Sequence, residues 1–292
     1  MLTDKQREAR RSHIGGSEVA TIMGLNPYAT PYSVWLEKMD MVKPDKEKKA
    51  TEYGHRFENA ILDHAEESIG KLERQVAVKA AGVPLCTLLD GRNEEGYAAD
   101  AKTTGLSGPV QGYWGADLSS EVPLVYQIQM TAQIVCTEKE MAYLFALIGG
   151  RGIAEFHINR CEKSCDQIKR FVNDWWENHV VKQAPPADEI DKENAAKHLA
   201  VFKRIIRQPK SSVDLNGDVL ELIEAREKAK EYAKLANATV DFYDANLLQR
   251  LGMCEAGNLP DGRTVTYLET KRKGYTVEET SYRTIRIKKA SK

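Results

Sequence analysis

The length, composition and charge of the chain indicate a globular protein without a membrane segment. Its 292 residues are enough for one large domain or two modest ones, and 42% of them are hydrophobic and 29% are charged. A formal net charge of −1 excludes a globally basic nucleic-acid binder, but it leaves room for a local basic groove. No apolar run approaches the roughly 18–20 residues of a membrane span. The N-terminal MLTDKQREARR also lacks the apolar core of a signal peptide, so we expect a cytoplasmic protein.

Five cysteines, at positions 86, 136, 161, 165 and 254, do not have the spacing of a disulfide framework. Cys161 and Cys165 form a lone C-x₃-C pair, and an iron–sulfur cluster on four cysteines needs a tighter grouping than this chain offers. We therefore expect thiols, as in most cytosolic proteins.

The first seventy residues predict three helices separated by turns. Ser17 has the chemistry of an N-cap for a helix over 18–23, and Pro31 fits the first turn of a helix over 32–39. After the charged segment KPDKEKK, residues 51–69 have apolar positions at helical spacing and are followed by a glycine.

A run of strands follows and carries the first functional signal. Residues 85–89 and 97–103 predict two strands joined by the turn-like DGRNEEG. Side chains on a strand alternate between its faces, so Asp100 and Lys102 project from the same side. A hairpin closed at this turn returns Asp100 towards Asp90.

Two carboxylates and an ammonium group that converge on one spot are typical of metal-dependent phosphodiester hydrolysis. The carboxylates hold Mg²⁺, and the metal activates water and stabilises the charge on phosphate. Lys102 would orient the water or stabilise the transition state. The alternative for Asp100 and Lys102 is an exposed ion pair worth less than about 1 kcal/mol.

The rest of the chain predicts a helix from Val122, a strand pair MAYLFALIGG and IAEFHINR, and an amphipathic helix SCDQIKRFVNDWWENHVVK. The Pro- and charge-rich QAPPADEIDKE then indicates a linker. We expect a nuclease domain over 1–185, a linker or helix over 186–213, and a long helix with a small basic β region over 214–292. Residues 262–292 hold nine Lys/Arg and three Asp/Glu, a local balance of +6 that favours phosphate contact or a solvated surface equally.

The order of these elements resembles the nuclease core of the PD-(D/E)xK superfamily. Within it, the chain is similar to the YqaJ-like viral recombinases, which are relatives of phage lambda exonuclease, over roughly residues 8–180. The resemblance implies an α/β (α+β) fold with a restriction-endonuclease-like core, in which helices flank a central mixed β-sheet. The C-terminal helical and small β region would be an appendage to it.

Two N-terminal blocks carry part of the resemblance. RRSHIGGSEVATIMGLNPYATPYSVWLEK is similar to the family's opening block, which implies that Arg10 and Ser17 bind the terminal 5′-phosphate of DNA. The helix N-terminus, hydroxyl and guanidinium are a suitable anion site, although for this motif taken alone a plain capping serine is the simpler explanation. YGHRFENAI resembles the family's next helix, and the match implies that Glu58 holds a metal-bound water. Its alternative is a surface glutamate.

The third block matches the catalytic strands. LLDG gives Asp90, and DAK gives Asp100 and Lys102, with the backbone carbonyl of Ala101 implied as a further metal ligand. The family commonly has Glu at the position of Asp100, whose side chain is one methylene shorter. Metal spacing is therefore in question, and the nearby candidates to replace it are Glu94 and Glu95.

The fourth block, VPLVYQIQMTAQIVCTEKEMAYLFALI, resembles the helix and strand that follow the catalytic strands in the family. The match implies that Gln127 orients the nucleophilic water. If the register is shifted, Gln129 takes this role.

The resemblance implies a Mg²⁺-dependent 5′→3′ exonuclease on double-stranded DNA ends, with one or two ions per site and Mn²⁺ as a substitute. It would expose 3′ tails for a single-strand annealing partner in phage or prophage recombination within a bacterial host. Enzymes of this type often form homo-oligomeric rings. Two alternatives stay open: an endonuclease or structure-specific nuclease of the same fold, and a DNA-binding recombination scaffold without catalysis.

Overall fold

The computed structural model describes residues 11–44, 49–104, 114–149, 152–187, 189–271 and 285. The chain divides into two compact units, Met1–Arg207 and Gln208–Lys292. Arg10 lies outside the described residues, and so does most of the basic C-terminal segment.

A short strand and three helices begin the first unit. They are β1 (Ile14–Gly15), α1 (Gly16–Ile22), α2 (Pro31–Lys38) and α3 (Lys49–Ile69). Thr30 caps α2 through the amide of Ser33 at 3.2 Å. Gly70 follows α3 with φ +78°, a conformation that glycine adopts without strain. The three predicted helices are therefore confirmed, with small shifts of their ends.

The prediction that Ser17 caps the first helix is wrong. Gly15 is the N-cap, and Ser17 lies exposed in the first turn of α1. The Glu18 carboxylate accepts the Gly15 amide at 2.7 Å, so the cap is closed from inside the helix. Glu18 also forms a buried ion pair with Lys38 of α2 at 2.6 Å, which joins the two helices.

The central sheet of the first unit is mixed and contains six strands. Its further strands are β2 (Leu72–Lys79), β3 (Leu85–Asn93), β4 (Ala98–Thr104), β5 (Met141–Ile148) and β6 (Gly152–Asn159). Strand β3 is antiparallel to β2 and β4 and parallel to β1, whereas β4 is parallel to β5, which is antiparallel to β6. The strand order is β1-β3-β4-β5-β6, and β2 pairs with β3.

Helices cover both faces of this sheet. Helix α4 (Leu124–Thr137) connects β4 to β5, because parallel neighbours need a crossover connection. Helix α5 (Glu162–Trp175) follows β6 and continues as a π-helical turn (Trp176–Val181). One apolar cluster includes Ile61 and Leu62 of α3, and a second includes Met130 and Ile134 of α4. The predicted α/β core, a mixed sheet flanked by helices, is confirmed.

Residues beyond 185 still contribute to the first unit. Helix α6 (Ala195–Phe202) buries Val201, and Val42 forms an isolated antiparallel bridge with Ile205. The domain limits expected from the sequence, residues 185 and 213, stay a prediction.

The second unit has one long helix and one hairpin in its described part. Helix α7 (Asp218–Leu251) spans 34 residues, none of which is buried. Strands β7 (Ala256–Asn258) and β8 (Thr264–Thr266) pair antiparallel. Most of the basic segment of the expected C-terminal region lies outside the described residues, so that expectation stays a prediction.

The helices and the cysteines bear on the expectations about membrane spans and disulfides. None of the helices in the described ranges combines the length and apolar character needed to cross a membrane. All five cysteines are described, and no disulfide joins them.

The stability of the first unit should depend strongly on Phe156. This β6 side chain is fully buried, and its ring centroid lies 5.2 Å from that of Trp114. We expect Phe156→Ala to lower the free energy of unfolding by about 3–5 kcal/mol, because it leaves a cavity. Urea unfolding followed by tryptophan fluorescence measures this, since the four tryptophans all lie in the first unit.

Phe57→Ala is the matched control, because Phe57 lies in the same unit and is 43% exposed. It should cost at most about 1 kcal/mol. Equal losses in the two variants would contradict the assigned core.

Candidate active site

The candidate site lies where strands β3 and β4 separate. The two strands pair only at Gly91–Ala99 and Arg92–Ala98. Beyond these pairs the carboxylate of Asp90 accepts the backbone N–H of Ala101, with 3.0 Å between Oδ2 and N. The Asp90 side chain thus accepts the hydrogen bond that a backbone carbonyl of a paired strand would otherwise accept. The hairpin brings Asp90 next to the strand that carries Asp100 and Lys102, as the sequence predicts.

Asp100 is the most enclosed charged residue of the site, with 1% of it exposed. Its Oδ2 accepts a hydrogen bond from the Lys102 ammonium. Its Oδ1 accepts the side-chain amides of Gln129 at 3.0 Å and of Gln133 at 2.8 Å. The Lys102 side chain is 21% exposed, so the pair is largely buried and differs from a solvated surface ion pair.

Crowding by Asp100 changes the protonation chemistry of Asp90. Burial, together with the negative charge of Asp100, raises the pKa of Asp90 to about 7. The Lys102 charge and the Ala101 amide act in the opposite direction and are outweighed. Burial alone would lower the pKa of Lys102, but the charges of Asp100 and Asp90 raise it above its ordinary value. Lys102 therefore stays an ammonium ion at neutral pH.

Helix α4 presents one face to this pair. Tyr126, Gln129 and Gln133 are spaced three and four residues apart, which places them on one side of a helix. The Lys102 ammonium lies 5.8 Å from the centroid of the Tyr126 ring. Burial raises the pKa of the Tyr126 hydroxyl, which stays protonated. The ring also contacts Trp114, with 5.5 Å between centroids.

Gln127 lies off this face. Its side chain is exposed, and its backbone carbonyl accepts the hydroxyl of Thr131 at 2.8 Å. Gln129, the alternative named for a shifted register, is the residue that contacts Asp100. The role of Gln127 stays a prediction. Sequence reasoning missed Gln133, although its spacing of four from Gln129 was a usable signal.

Glu58 of α3 reaches the same region through Gln75. The Gln75 amide donates to Glu58 Oε1 at 2.7 Å, and His55 Nδ1 lies 3.4 Å from Oε2. Gln75 has φ +56° and interrupts the β2–β3 pairing opposite Asp90. Such a conformation costs a non-glycine residue of order 1–3 kcal/mol and is often found near functional sites. The charge of Glu58 is among those that raise the pKa of Asp90.

The remaining predicted residues are either exposed or outside the described ranges. Ser17 is exposed on α1, and Arg10 falls outside the described residues. Glu94 and Glu95 are exposed between β3 and β4, so the carboxylate that contacts Lys102 is Asp100.

The donor set fits a divalent cation that keeps water ligands. Among the described residues no three His, Cys, Asp or Glu side chains group closely enough to form a metal cage. Mg²⁺ is usually bound through one or two carboxylates, with water and substrate phosphate completing its shell. Asp90 and Asp100 supply two such carboxylates, and their mutual repulsion favours a cation between them. The water-mediated contact of Glu58 with the metal, which the resemblance implies, stays a prediction.

Comparison with known proteins gives the following similarities. Residues 6–140 match the family model described as the YqaJ-like viral recombinase domain. The uncharacterized protein YqaJ of Bacillus subtilis (strain 168) is 25% identical over 231 residues, which are 77% of this chain and 70% of that protein. Protein D345L of African swine fever virus is 34% identical over 61 residues, 21% of this chain and 18% of that protein. An alkaline exonuclease (LHK-Exo) from Laribacter hongkongensis has a crystal structure that aligns at a TM-score of 0.47 and 12% identity, over 68% of this chain and 99% of that chain.

The metal-free protein should lose stability as the pH rises through about 7. Asp90 binds its proton more tightly in the folded state, with a pKa of about 7 against an ordinary 3.8. This tighter proton binding by Asp90 stabilises the folded state fully below about pH 4, and the stabilisation is lost as the pH rises through the folded-state pKa. Asp90→Asn, whose side-chain oxygen can still accept the Ala101 amide, should remove this dependence.

Urea unfolding in EDTA between pH 5 and pH 8 tests this. We expect Asp90→Asn to exceed wild type in unfolding free energy by roughly 1–3 kcal/mol at pH 8 and by less at pH 5. A variant that is less stable than wild type, by the same amount at both pH values, would contradict the assignment.

Proposed function

We propose that the protein is a metal-dependent deoxyribonuclease, because residues 6–140 match the model of the YqaJ-like viral recombinase domain. Its reaction would be the 5′→3′ exonucleolytic digestion of double-stranded DNA ends. The observation that carries this proposal is the buried contact between Asp100 and Lys102 beside the carboxylate of Asp90. A buried ion pair loses its hydration and often adds no net stability to a fold. Its presence where two strands separate therefore favours a functional role over a structural one.

Each charged residue has a distinct part in the proposed hydrolysis. Asp90 and Asp100, with the Ala101 carbonyl, would hold one or two divalent ions, and Glu58 would be bonded through water. A bound Mg²⁺, or Mn²⁺ in its place, would supply a Lewis acid that activates water and stabilises charge on phosphate. Lys102 remains protonated, so it would act as a hydrogen-bond donor to water or phosphate oxygen and not as a general base.

The polarity and the biological setting belong to the same proposal. Arg10 and Ser17 would bind the terminal 5′-phosphate, and the exposure of Ser17 on the first turn of α1 supports access to it. Digestion would leave 3′ single-stranded tails for an annealing protein during phage or prophage recombination in a bacterial cytoplasm. A homo-oligomeric ring around the DNA would make the digestion processive.

Lys102→Ala tests the proposed centre. Wild-type protein with Mg²⁺ should degrade linear, 5′-phosphorylated duplex DNA, and EDTA should stop the reaction. Lys102→Ala should lower the rate by about 10²–10³-fold, because it removes one donor to the charge that develops on the phosphate. Lys192→Ala, at an exposed lysine of the same unit, should keep the wild-type rate.

A covalently closed circular duplex separates the two nuclease alternatives. An exonuclease leaves the circle intact, whereas cleavage of the circle would show an endonuclease of the same fold. If wild-type protein binds DNA but leaves every substrate intact with Mg²⁺ and with Mn²⁺, the nuclease proposal is wrong and a DNA-binding scaffold replaces it.

A further inference from the structure

Gln133 is a buried polar residue that the proposed reaction does not yet use. It lies on α4 with 0% of its surface exposed, and its Nε2 lies 2.8 Å from Asp100 Oδ1. Its other polar atom, Oε1, is buried and has no hydrogen-bond partner among the residues that the structure describes. An apolar side chain would avoid that unpaired atom, so the contact with Asp100 is the feature that accounts for a glutamine here.

The orientation of the Gln133 amide is determined by its partner. A flipped amide would place Oε1 against the Asp100 carboxylate, and two acceptors repel. The helix contributes a second donor one turn earlier, since Gln129 Nε2 contacts the same oxygen at 3.0 Å. Residues four apart on a helix are neighbours, so both amides arrive from the same side.

The two oxygens of Asp100 thus have different environments. Oδ1 receives two neutral amides, whereas Oδ2 receives the Lys102 ammonium. The amides fix the rotation of the carboxylate but carry no charge, so they do not replace a cation at Oδ2. An aspartate side chain has only two torsions, so the Asp100 carboxylate has little freedom left when one oxygen is held.

We propose that Gln133 is a positioning residue that fixes Asp100 through Oδ1 and so directs Oδ2 at Lys102 and at a divalent cation. This inference rests on the proposed function, because it assumes that Asp100 is a metal ligand. Groups that hydrogen-bond to metal ligands typically contribute about 10–100-fold to metal affinity or activity. Gln133 therefore supports the site from within the core without touching the DNA.

The test is Mn²⁺ binding, measured by calorimetry on the full chain without DNA. Gln133→Met keeps the length and volume of the side chain and removes the donor, and Gln133→Leu removes it with a different shape. Both should raise the Kd for Mn²⁺ by at least about tenfold. Ile134→Val is the control, because Ile134 is the next residue of α4, is equally buried and has no polar group. It should leave the Kd within twofold of wild type.

Thermal unfolding of the metal-free proteins separates positioning from a structural role. If Gln133→Met and Gln133→Leu lower Tm but bind Mn²⁺ as wild type does, the proposal is overturned and Gln133 is a packing residue. Failure of both variants to fold, while Ile134→Val folds, would overturn it in the same way.

Failure of this inference is distinguishable from failure of the proposed function. Asp100→Asn should weaken Mn²⁺ binding if Asp100 is a ligand. An unchanged Kd in Asp100→Asn would overturn the metal site, and this inference with it. Weak binding by Asp100→Asn together with wild-type binding by both Gln133 variants would overturn the inference alone. Gln133-dependent binding by a protein that leaves DNA intact would support the inference and contradict the nuclease.

Discussion

The contact between Asp100 and Lys102 is the interaction on which the rest of the site depends. A carboxylate with 1% exposure cannot remain charged inside a core unless other groups offset the loss of water. Lys102 supplies the opposite charge, and the amides of Gln129 and Gln133 supply hydrogen bonds. Asp90 adds a second carboxylate, and the charge of Lys102 does not offset the effects of burial and of Asp100, so the pKa of Asp90 is raised to about 7. A divalent cation between the two carboxylates would offset their repulsion, so the proposed metal would relieve a cost that the metal-free protein carries.

Asp90 lies next to Asp100 because strand β3 loses its pairing with both neighbouring strands at this point. The pairing of β3 with β4 ends after two residue pairs, and that of β3 with β2 is interrupted at Gln75, so Asp90 is released from both neighbours. The parallel arrangement of β4 and β5 requires a crossover, and the crossover helix α4 is the element that covers Asp100. A regular antiparallel hairpin would have neither the gap nor the covering helix.

The sequence was sufficient for the parts of the site that follow from local geometry. Strand alternation and a short turn brought Asp90, Asp100 and Lys102 together, because both rules act over a few residues. The contact of α4 with Asp100 was harder to predict, because the rotation of a helix about its axis is set by packing against the sheet. The match to the family implies Gln127, or Gln129 in a shifted register, whereas the packed helix turns Gln129 and Gln133 towards the carboxylate. The prediction that Ser17 caps α1 was wrong because the helix begins two residues earlier, where the Glu18 carboxylate accepts the backbone amide of Gly15.

The central claim is that Asp90 and Asp100 form one cation site with Lys102 at its edge. Anomalous diffraction from crystals of the protein grown with Mn²⁺ tests it most directly. The account predicts a peak bonded to carboxylate oxygens of both aspartates, with the Lys102 ammonium moved off Asp100 Oδ2. A structure at saturating Mn²⁺ without a peak between the two aspartates, and with Lys102 still on Asp100, would contradict it.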